Sequence, residues 1–380
     1  MGFDIVKLGD ISDITKLAGF EFTKYIDYIE DGEIIALRAL NLRKGELDLS
    51  DIKRIDKKVS DGLTRSKLYT NDILLTYTGN GYGDCAMITE NDKFHLAPNI
   101  CKITPDVSKV NPYFLYSYIR SESFYQTMSS NMTGSSQPTI PMKTIRILEV
   151  PLPRMDIQEK MASFIKSIDE KTRVNRKINR NLQEQLEALY KENIKNSILP
   201  SRVVTLDELC DIFTGRKNAN QNDEDGKYMF FTCGEKPLRI NSYIYNGPAI
   251  IISGNGSYTG RTLFYNGKFD LYQRTYACTL KENIVPEYIF GLYAVLKIEL
   301  HKKISGGTHG SSIPYIVMND LAKFEFEIND DIFMEFSKQS QSILDTIMHN
   351  NKENEHLEKL RDNLLPKLMA GELDVSDLDI

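Results

Sequence analysis

The sequence lacks the features that mark several classes of protein. No apolar run approaches the roughly 18 residues that a membrane-spanning helix needs. The five cysteines are scattered and none stands in a C-x-x-C pair, so neither a zinc site nor a disulfide framework is predicted. We predict instead that the cysteines are buried free thiols. The first ten residues, MGFDIVKLGD, lack the basic-then-apolar order of a secretory signal, and a cytoplasmic location is expected.

The chain also lacks the excess of basic residues that many nucleic-acid-binding proteins have. Its 380 residues include 47 Lys and Arg against 53 Asp and Glu, which gives a net charge of -6. These charges are unevenly distributed. Residues 36–67 hold nine basic against five acidic side chains, whereas residues 371–380 hold four acids and no base. A local basic face is therefore compatible with the acidic average.

What the sequence does contain is a phrase written twice. TGSSQPTIPM occupies residues 133–142 and HGSSIPYIVM occupies residues 309–318, with six of ten positions identical. Because further segments match in the same order, we predict a duplicated unit rather than a longer solenoid. The first copy has about 23 additional residues before its glycine-rich turn. The matching segments are 6–14 with 204–212, 74–83 with 250–260 (pairing Gly79-Asn80-Gly81 with Gly254-Asn255-Gly256), 111–118 with 285–292, and 156–194 with 331–369.

Each copy is predicted to be a globular part followed by one helix. The globular parts contain short β-branched and aromatic runs separated by Gly and Asn. The trailing segments have almost no Gly or Pro and repeat apolar residues at four-three spacing, which indicates coiled-coil helices of ~40 residues and ~60 Å. The apolar positions are Ile157, Met161, Phe164, Ile168, Ile178, Leu182 and Leu189 in the first helix, and Ile343, Ile347, Leu357, Leu364 and Leu368 in the second.

The two helices are predicted to pair with each other. A globular domain lies between them in the sequence, so they can run antiparallel. Asn175 and Asn350 fall on the apolar seam. Buried polar residues at such positions fix the register of a coiled coil, whereas residues at the edge of the seam are simply solvated. The sequence leaves both interpretations open.

Two motifs resemble catalytic elements but lack the necessary context. GNGYG at 79–83 could cradle a phosphate only if it opened a helix, yet the following residues 84–91 are typical of a strand. NPYF at 111–114 lacks the second proline of the adenine-methyltransferase motif N-P-P-Y. We therefore favour a strand-turn-strand in which glycines adopt positive φ. No catalytic set recurs in both copies, and no catalytic function is predicted.

The order of these features resembles the specificity (S) subunit of type I restriction–modification enzymes. The resemblance covers essentially the whole chain and rests on the repeated order of domain and helix and on the repeated Gly-Ser-Ser-x-Pro-x-Ile phrase. It also rests on DILLTYTGNGYGDCAMI (72–88), VPLPRMDIQEK (150–160) and LLPKLMAGEL (364–373). The second copy departs from it at FEFEINDDIFMEF (324–336), which has neither the Pro-x-Pro nor the Gln, so docking at that end is less defined.

The resemblance implies a mixed α/β (α+β) fold with two target recognition domains, separated by two long antiparallel coiled-coil helices in a pseudo-twofold internal repeat. Each domain would read one half of an asymmetric bipartite target in double-stranded DNA. The helices would set the spacing and dock modification (methyltransferase) subunits, expected to number two. The implied divisions are residues 1–155 and 201–330 for the recognition domains, 156–200 and 331–371 for the spacer helices, and 372–380 for an acidic tail.

The resemblance also implies that this chain is not an enzyme by itself and binds neither cofactor nor metal. S-adenosylmethionine, ATP and Mg²⁺ would be bound by the modification and restriction subunits. Two other functions stay open: a free-standing methyltransferase or nuclease, which would need a complete S-adenosylmethionine loop with N-P-P-Y, and a coiled-coil scaffold that binds no DNA.

The candidate DNA contacts are polar residues in glycine-rich loops, from which side chains can reach phosphates and base edges. The Ser pairs of the repeated phrase, which follow Gly134 and Gly310, either belong to a hinge before each helix or contact DNA. The candidates are Arg38, Asn41, Arg43, Lys44, Tyr77, Asn80, Tyr82, Ser135, Ser136 and Gln137 in the first copy, and Arg216, Lys217, Asn218, Asn255, Tyr258, Arg261, Gln273, Arg274, Ser311 and Ser312 in the second.

Overall fold

The chain divides into two compact units. The computed structural model describes residues 3–43, 45–79, 81–132, 138–305, 315–369 and 371–373. Unit 1 comprises Met1–Arg173 together with Glu353–Ile380, and unit 2 comprises Val174–Lys352. Each unit therefore contains one globular part and a portion of both long helices.

Short strands and helices alternate along the described chain. The strands are β1 (Asp4–Lys7), β2 (Ser12–Lys16), β3 (Ile34–Leu37), β4 (Leu42–Arg43), β5 (Glu46–Leu47), β6 (Lys53–Ile55), β7 (Ile73–Thr76), β8 (Cys85–Met87), β9 (Phe94–Leu96), β10 (Ile100–Pro105), β11 (Glu149–Leu152), β12 (Arg202–Thr205), β13 (Cys210–Thr214), β14 (Tyr228–Phe231), β15 (Leu238–Ile240), β16 (Tyr245–Ser253), β17 (Thr262–Leu271), β18 (Thr275–Leu280) and β19 (Glu325–Ile328). The helices are α1 (Gly19–Tyr25), α2 (Lys57–Gly62), α3 (Pro112–Ile119), α4 (Glu122–Ser129), α5 (Met142–Ile147), α6 (Met155–Tyr190), α7 (Leu206–Leu209), α8 (Tyr288–Ser305), α9 (Met318–Ala322) and α10 (Asp330–Met369).

The central sheet of unit 1 has the strand order β2-β10-β7-β8, with antiparallel neighbours. Ile73 and Leu75 belong to a core cluster that includes residues of α3, whereas Leu74 belongs to a second cluster with Ile34 and Leu37 of β3. Successive strand residues point to opposite faces. The sheet is therefore covered by helices on one face and by the small sheet β6-β3-β9 on the other, which explains why the inner strand β7 is buried along its whole length and largely apolar.

Unit 2 repeats this plan in one sheet of order β13-β18-β16-β17-β14-β15. Ile250 and Ile252 belong to the core cluster that includes α8, and Ile251 belongs to a second cluster with Phe231 and Phe269. Strand β17 pairs antiparallel with β16 and parallel with β14. In unit 1 two strands take these places: β8 pairs antiparallel with β7, and β9 pairs parallel with β3. The shared strand order confirms the predicted duplication. The additional residues of the first copy include hairpin β4–β5 and helix α2.

Both long helices form where the apolar spacing predicts them. In unit 1, Met161 and Ile165 of α6 share a core cluster with Leu368 of α10. In unit 2, Leu186 of α6 shares a core cluster with Ile347 of α10. Each long helix is preceded in sequence by a short strand, β11 before α6 and β19 before α10. Among the described residues, no helix combines the length and apolar character that a bilayer-crossing segment requires.

The middle of the helix seam is polar rather than apolar. Asn175 and Asn350 are only 2% and 8% exposed, so the interpretation that they are solvated at the helix edge is wrong. Within unit 2 the Asn350 amide donates to Asn179 Oδ1 at 2.8 Å, and the Asn179 amide donates to Asn351 Oδ1 at 2.9 Å. Ile178, predicted on the seam, is 40% exposed. Asn179 takes the inward position beside it, where a buried amide pair fixes the helix register.

Replacing Asn179 with leucine is expected to lower the free energy of unfolding by about 1–3 kcal/mol, because the buried Asn350 amide would lose its acceptor. Urea denaturation measures the loss. Gln183→Leu, one turn along the exposed side of the same helix, is the matched control. The double variant Asn179→Leu, Asn350→Leu removes both amides and should recover much of the loss. A single variant as stable as Gln183→Leu would contradict the prediction.

The cysteines are free thiols. Cys85, Cys101, Cys210 and Cys278 are buried in the cores, as predicted, whereas Cys233 is partly exposed. Burial raises the pKa of Cys85 and of Cys101 to about 12, so both stay protonated and unreactive at neutral pH.

Candidate nucleic-acid interface

The glycine-rich segment of each unit is a tight turn between two strands. In unit 1 it joins β7 to β8, and in unit 2 it joins β16 to β17. Gly79 and Gly83 adopt φ values of 91° and 87°, and Gly256 and Gly260 adopt 81° and 82°. Only glycine adopts such angles without strain. A strand rather than a helix follows each turn, which confirms the predicted strand-turn-strand and removes the context that a phosphate-cradling loop needs.

The structure corrects the way in which the two turns correspond. The sequence match pairs Gly79 with Gly254, but Gly254 does not have positive φ, whereas Gly256 does. Gly79 and Gly256 each accept a hydrogen bond at 3.1 Å from the amide three residues later. Gly79 is thus structurally equivalent to Gly256, two residues beyond the glycine with which the sequence match pairs it. The backbone conformation depends on the position of the positive-φ glycine. Asp84 of unit 1 consequently corresponds to Arg261 of unit 2.

The described end of the repeated phrase packs against this turn in both units. The Ile140 amide donates to Tyr77 O at 2.9 Å, and the Ile316 amide donates to Gly254 O at 2.8 Å. The choice between hinge and DNA contact for the Ser pairs stays open. Seven candidate contacts lie outside the described residues: Lys44, Asn80, Ser135, Ser136, Gln137, Ser311 and Ser312.

In unit 2, four separate segments meet beside the turn. The Gln273 amide donates to Lys217 O at 3.1 Å, and the Gly254 amide donates to Arg274 O at 2.9 Å. We call this the unit 2 loop cluster and define it as residues 214–218, 232–235, 253–261 and 272–274. It brings together all eight described candidates of the second copy, although they are spread over 59 positions of sequence, from 216 to 274.

The unit 2 loop cluster has an exposed basic surface. Arg216 and Arg274 are exposed, and neither forms an ion pair with a described residue. Four of its side chains are basic, and Glu235 is its one acidic residue by sequence. The remaining candidates are Asn218, Tyr258 and Gln273, which are exposed, and Lys217 and Asn255, which are half-buried.

Arg261 is fixed in place by its own unit. Its guanidinium donates to the backbone carbonyls of Gly234 and Glu235 and lies 4.8 Å from the ring centroid of Tyr258. These contacts leave the positive charge without a carboxylate partner among the described residues. Arg261 therefore joins loop 232–235 to the turn and contributes a preorganised positive charge to the surface.

An open cavity of about 340 Å³ lies beside the same turn. It is lined by residues 257–262 and by Lys297 of α8, and none of these lining residues is acidic. Lys297 Nζ lies 3.3 Å from the hydroxyl of Tyr293 one helical turn away. Two positive charges without a carboxylate make the cavity suitable for an anionic group such as a phosphate. Sequence reasoning missed Lys297, since only the tertiary fold brings α8 to the turn.

In unit 1 the candidates Tyr77 and Tyr82 flank the turn. The ammonium of Lys16 lies 5.2 Å from the ring centroid of Tyr77. The Tyr82 ring stacks on Tyr125 of α4 at 5.3 Å, and its hydroxyl donates to Tyr125 Oη at 2.8 Å and lies 2.7 Å from Ser129 Oγ. Hydrogen bonding to Tyr82 is the main cause that raises the pKa of Tyr125. The sequence analysis did not select Lys16. Its position as the last residue of strand β2, whose pattern alternates, was a signal that it lies at an end of the sheet.

Hairpin β4–β5 of unit 1 carries an exposed arginine on a braced base. The Arg43 side chain is 68% exposed and lies 3.6 Å from Asp48. Asn41 is fully buried: its amide donates to the carbonyls of Asp48 and Asp51 at 2.8 Å, and its Oδ1 accepts from the Arg38 amide at 3.0 Å. The prediction that Asn41 contacts DNA is therefore wrong, since its polar groups are saturated inside the unit. Arg38 pairs with Asp51 at 3.0 Å.

The described residues contain no cluster of three or more His, Cys, Asp or Glu side chains placed to hold a metal ion. The described candidate contacts offer guanidinium and ammonium groups, amides and tyrosine hydroxyls. Such groups bind phosphates and the edges of bases.

Comparison with known proteins gives a consistent picture. A family model described as "Type I restriction modification DNA specificity domain" matches residues 1–184 and 200–359. The EcoDI specificity subunit of Escherichia coli is 42% identical over 120 residues, which are 32% of this chain and 26% of that subunit. The MjaIX specificity subunit of Methanocaldococcus jannaschii is 24% identical over 73% of this chain and 72% of its own length. The aligned part thus spans about a quarter of the E. coli relative.

A solved structure shares the fold. The crystal structure of a type I restriction–modification system S subunit from M. genitalium superposes with a TM-score of 0.63 at 16% identity. The superposition covers 97% of this chain and 96% of that chain. It confirms the predicted mixed α/β fold with a duplicated domain and long helices.

Proposed function

The chain belongs to the family of type I restriction modification DNA specificity domains, and from this membership we propose that it recognises a DNA sequence for a type I restriction–modification complex. The observation that supports this most is the unit 2 loop cluster, in which three separated segments present Arg216, Lys217, Arg261 and Arg274 beside exposed amides and a tyrosine. Arginines bind phosphates and guanine edges, and amides bind adenine edges. An acidic chain with such a surface is suited to local contact with DNA.

We propose further that the target is bipartite and asymmetric. Both units share one strand order, which supports two readers of a common type. Their loops differ in two ways. Unit 1 has hairpin β4–β5, whereas the described sheet of unit 2 has no such hairpin. The turn of unit 1 carries Asp84 at the position where that of unit 2 carries Arg261. Different surfaces read different half-sites, whereas identical ones would read a palindrome.

We propose that the long helices set the distance between the half-sites and dock two methyltransferase subunits. Val174 and Ile178, four residues apart on α6, are 46% and 40% exposed. Residues at this spacing lie on one side of a helix, so they offer an apolar strip to a partner. The chain itself would have no catalytic role, and S-adenosylmethionine, ATP and Mg²⁺ would be bound by the methyltransferase and restriction subunits.

Binding of duplex DNA is expected to be weak for the chain alone and at least tenfold tighter with a methyltransferase subunit, whose basic surface would add phosphate contacts. Fluorescence anisotropy at several salt concentrations measures both affinities. Labelled methyl transfer from S-adenosylmethionine, run in parallel, should appear only in the presence of the methyltransferase subunit. Methyl transfer by the chain alone would refute the non-catalytic role. Equal affinity with and without the subunit would refute the partner model.

A further inference from the structure

Asp169 of α6 connects three elements of unit 1. Its carboxylate accepts hydrogen bonds from the hydroxyl of Tyr113 at 2.7 Å, from the guanidinium of Arg120, and from the guanidinium of Arg361 at 3.2 Å. The Asp169, Arg120 and Arg361 side chains are 18%, 11% and 22% exposed. Tyr113 lies on α3, Arg120 caps that helix, and Arg361 lies on α10. The carboxylate therefore fixes the end of α3 relative to the helix pair of its own unit.

From Arg120 a chain of contacts continues to hairpin β4–β5. The Arg120 guanidinium lies 4.9 Å from the ring centroid of Tyr116, and the Tyr116 hydroxyl donates to Gly45 O. Burial raises the pKa of Tyr116, so the hydroxyl stays a donor at working pH. Gly45 pairs with Ala86 of β8 and has a φ of 86°, and a Cβ there would lie 2.8 Å from Tyr116 Oη. Glycine is thus required for this close approach.

Helix α4, which follows Arg120 directly, holds the glycine-rich turn in a similar way. Tyr125 stacks on Tyr82, and both Tyr125 and Ser129 exchange hydrogen bonds with the Tyr82 hydroxyl. A Cβ on Gly83 would lie 2.8 Å from the Tyr125 ring. The hairpin, which carries Arg43, and the turn, which Tyr77 and Tyr82 flank, are therefore both held by hydroxyl groups of α3 and α4.

Unit 2 is built differently at this place. Its described sheet contains no hairpin equivalent to β4–β5, and α8 is one helix of 18 residues where unit 1 has α3 and α4. The chain of contacts from Asp169 to Gly45 is accordingly a property of the first copy.

We propose that Asp169, Arg120 and Tyr116 are positioning residues that transmit the geometry of the unit 1 helix pair to hairpin β4–β5, and so determine the half-site preference of unit 1. The effect on half-site preference rests on the proposed function. The mechanical part, which is the support that these residues give to the hairpin, concerns the free protein and does not depend on DNA recognition. Since Arg43 projects from the hairpin, a hairpin released from Tyr116 would present that guanidinium in a range of positions and discriminate bases less well.

The test is Tyr116→Phe, which removes the hydroxyl and keeps the ring. Tyr118→Phe is a matched control on the same helix, because the Tyr118 hydroxyl also donates to a backbone carbonyl, that of Glu149 on β11, at 3.0 Å. Hydrogen–deuterium exchange of the full chain should show roughly tenfold faster exchange in the hairpin peptide for Tyr116→Phe only. Asp169→Asn should change exchange in the same peptide and in the same direction.

The second readout is selection from a duplex library in which both half-sites are randomised. Tyr116→Phe should relax the preference at one half-site and leave the other as in the wild type, a pattern that a general loss of folding does not produce. Equal hairpin exchange in Tyr116→Phe and Tyr118→Phe would overturn the proposal, as would relaxation of both half-sites together. Absence of any half-site preference in the wild type would instead refute the proposed function, while the exchange comparison still decides the mechanical part.

Discussion

Reversing two charges of the unit 2 loop cluster, Arg216→Glu with Arg274→Glu, is expected to lower the affinity for target DNA by a factor of about 100 or more. Each lost arginine contact with a phosphate or base contributes about 1–3 kcal/mol, and each glutamate adds repulsion. Both arginines are exposed, so the fold should be retained. Fluorescence anisotropy with the methyltransferase subunit present measures the affinity. If both arginines contact phosphates, the slope of the logarithm of the affinity against the logarithm of the salt concentration should become smaller in magnitude by about 2.

The matched control carries the same charge change elsewhere on unit 2. Lys227 precedes β14, and the Lys268 ammonium lies 5.7 Å from the ring of Tyr228, the first residue of that strand. The loop cluster adjoins the opposite end of β14 through loop 232–235. Lys227→Glu with Lys268→Glu should therefore leave the affinity within about threefold of the wild type. Equal losses in both double variants would mean that overall charge, not this surface, governs binding.

A four-residue insertion into both long helices is expected to abolish recognition of the original target and to create a target with a longer gap. Insertion after Arg173 and after Lys352 falls at the boundaries of unit 2 in the sequence, one within each long helix. Contacts inside each unit, such as that between Asn179 and Asn350, are left unchanged. Four helical residues add about 6 Å, close to two base-pair steps. The methylome of cells that carry the altered protein should show unchanged half-sites with a wider gap.

The control for this experiment is the same four residues inserted after Ser197, in the segment between the end of α6 and the start of β12. That insertion lengthens the chain without lengthening either helix, so the gap should stay as in the wild type. Altered half-site sequences with a constant gap would contradict the division of the chain into readers and a spacer.

The duplication and the long helices could be predicted from the sequence because both depend on local pattern. Strand β7 and residues 249–252 of β16 are apolar on both faces, and the helices repeat apolar residues at regular spacing over several turns. The sequence indicated that Asn175 and Asn350 lie on the seam, but it could not decide whether they are buried, and it did not identify Asn179 as a third polar residue there. Ile178 fits the apolar pattern, yet Asn179 faces inward and is satisfied by Asn350, whose position depends on the register of a helix far away in the sequence.

Site residues were harder to predict than elements. Asn41 is a polar residue in a basic, glycine-containing segment, but its amide is saturated by the carbonyls of Asp48 and Asp51. Lys297 stands on a mostly apolar helix and reaches the turn only through the tertiary fold. The repeated letters Gly-Asn-Gly gave a wrong correspondence, since the position of the positive-φ glycine, not the identity of its neighbours, determines where the backbone turns.

Unit 1 is discontinuous in sequence, and this has a consequence for the order of synthesis. Leu365, Leu368 and Met369 belong to the same core cluster as Ile14 and Phe114. Unit 2, in contrast, is one continuous segment, Val174–Lys352. On the ribosome, where domains fold as they emerge, the second unit can complete its core first. The first unit keeps apolar surface exposed until the end of α10 has left the exit tunnel, so a chain that ends before residue 365 lacks Leu365, Leu368 and Met369 from the core of its first unit.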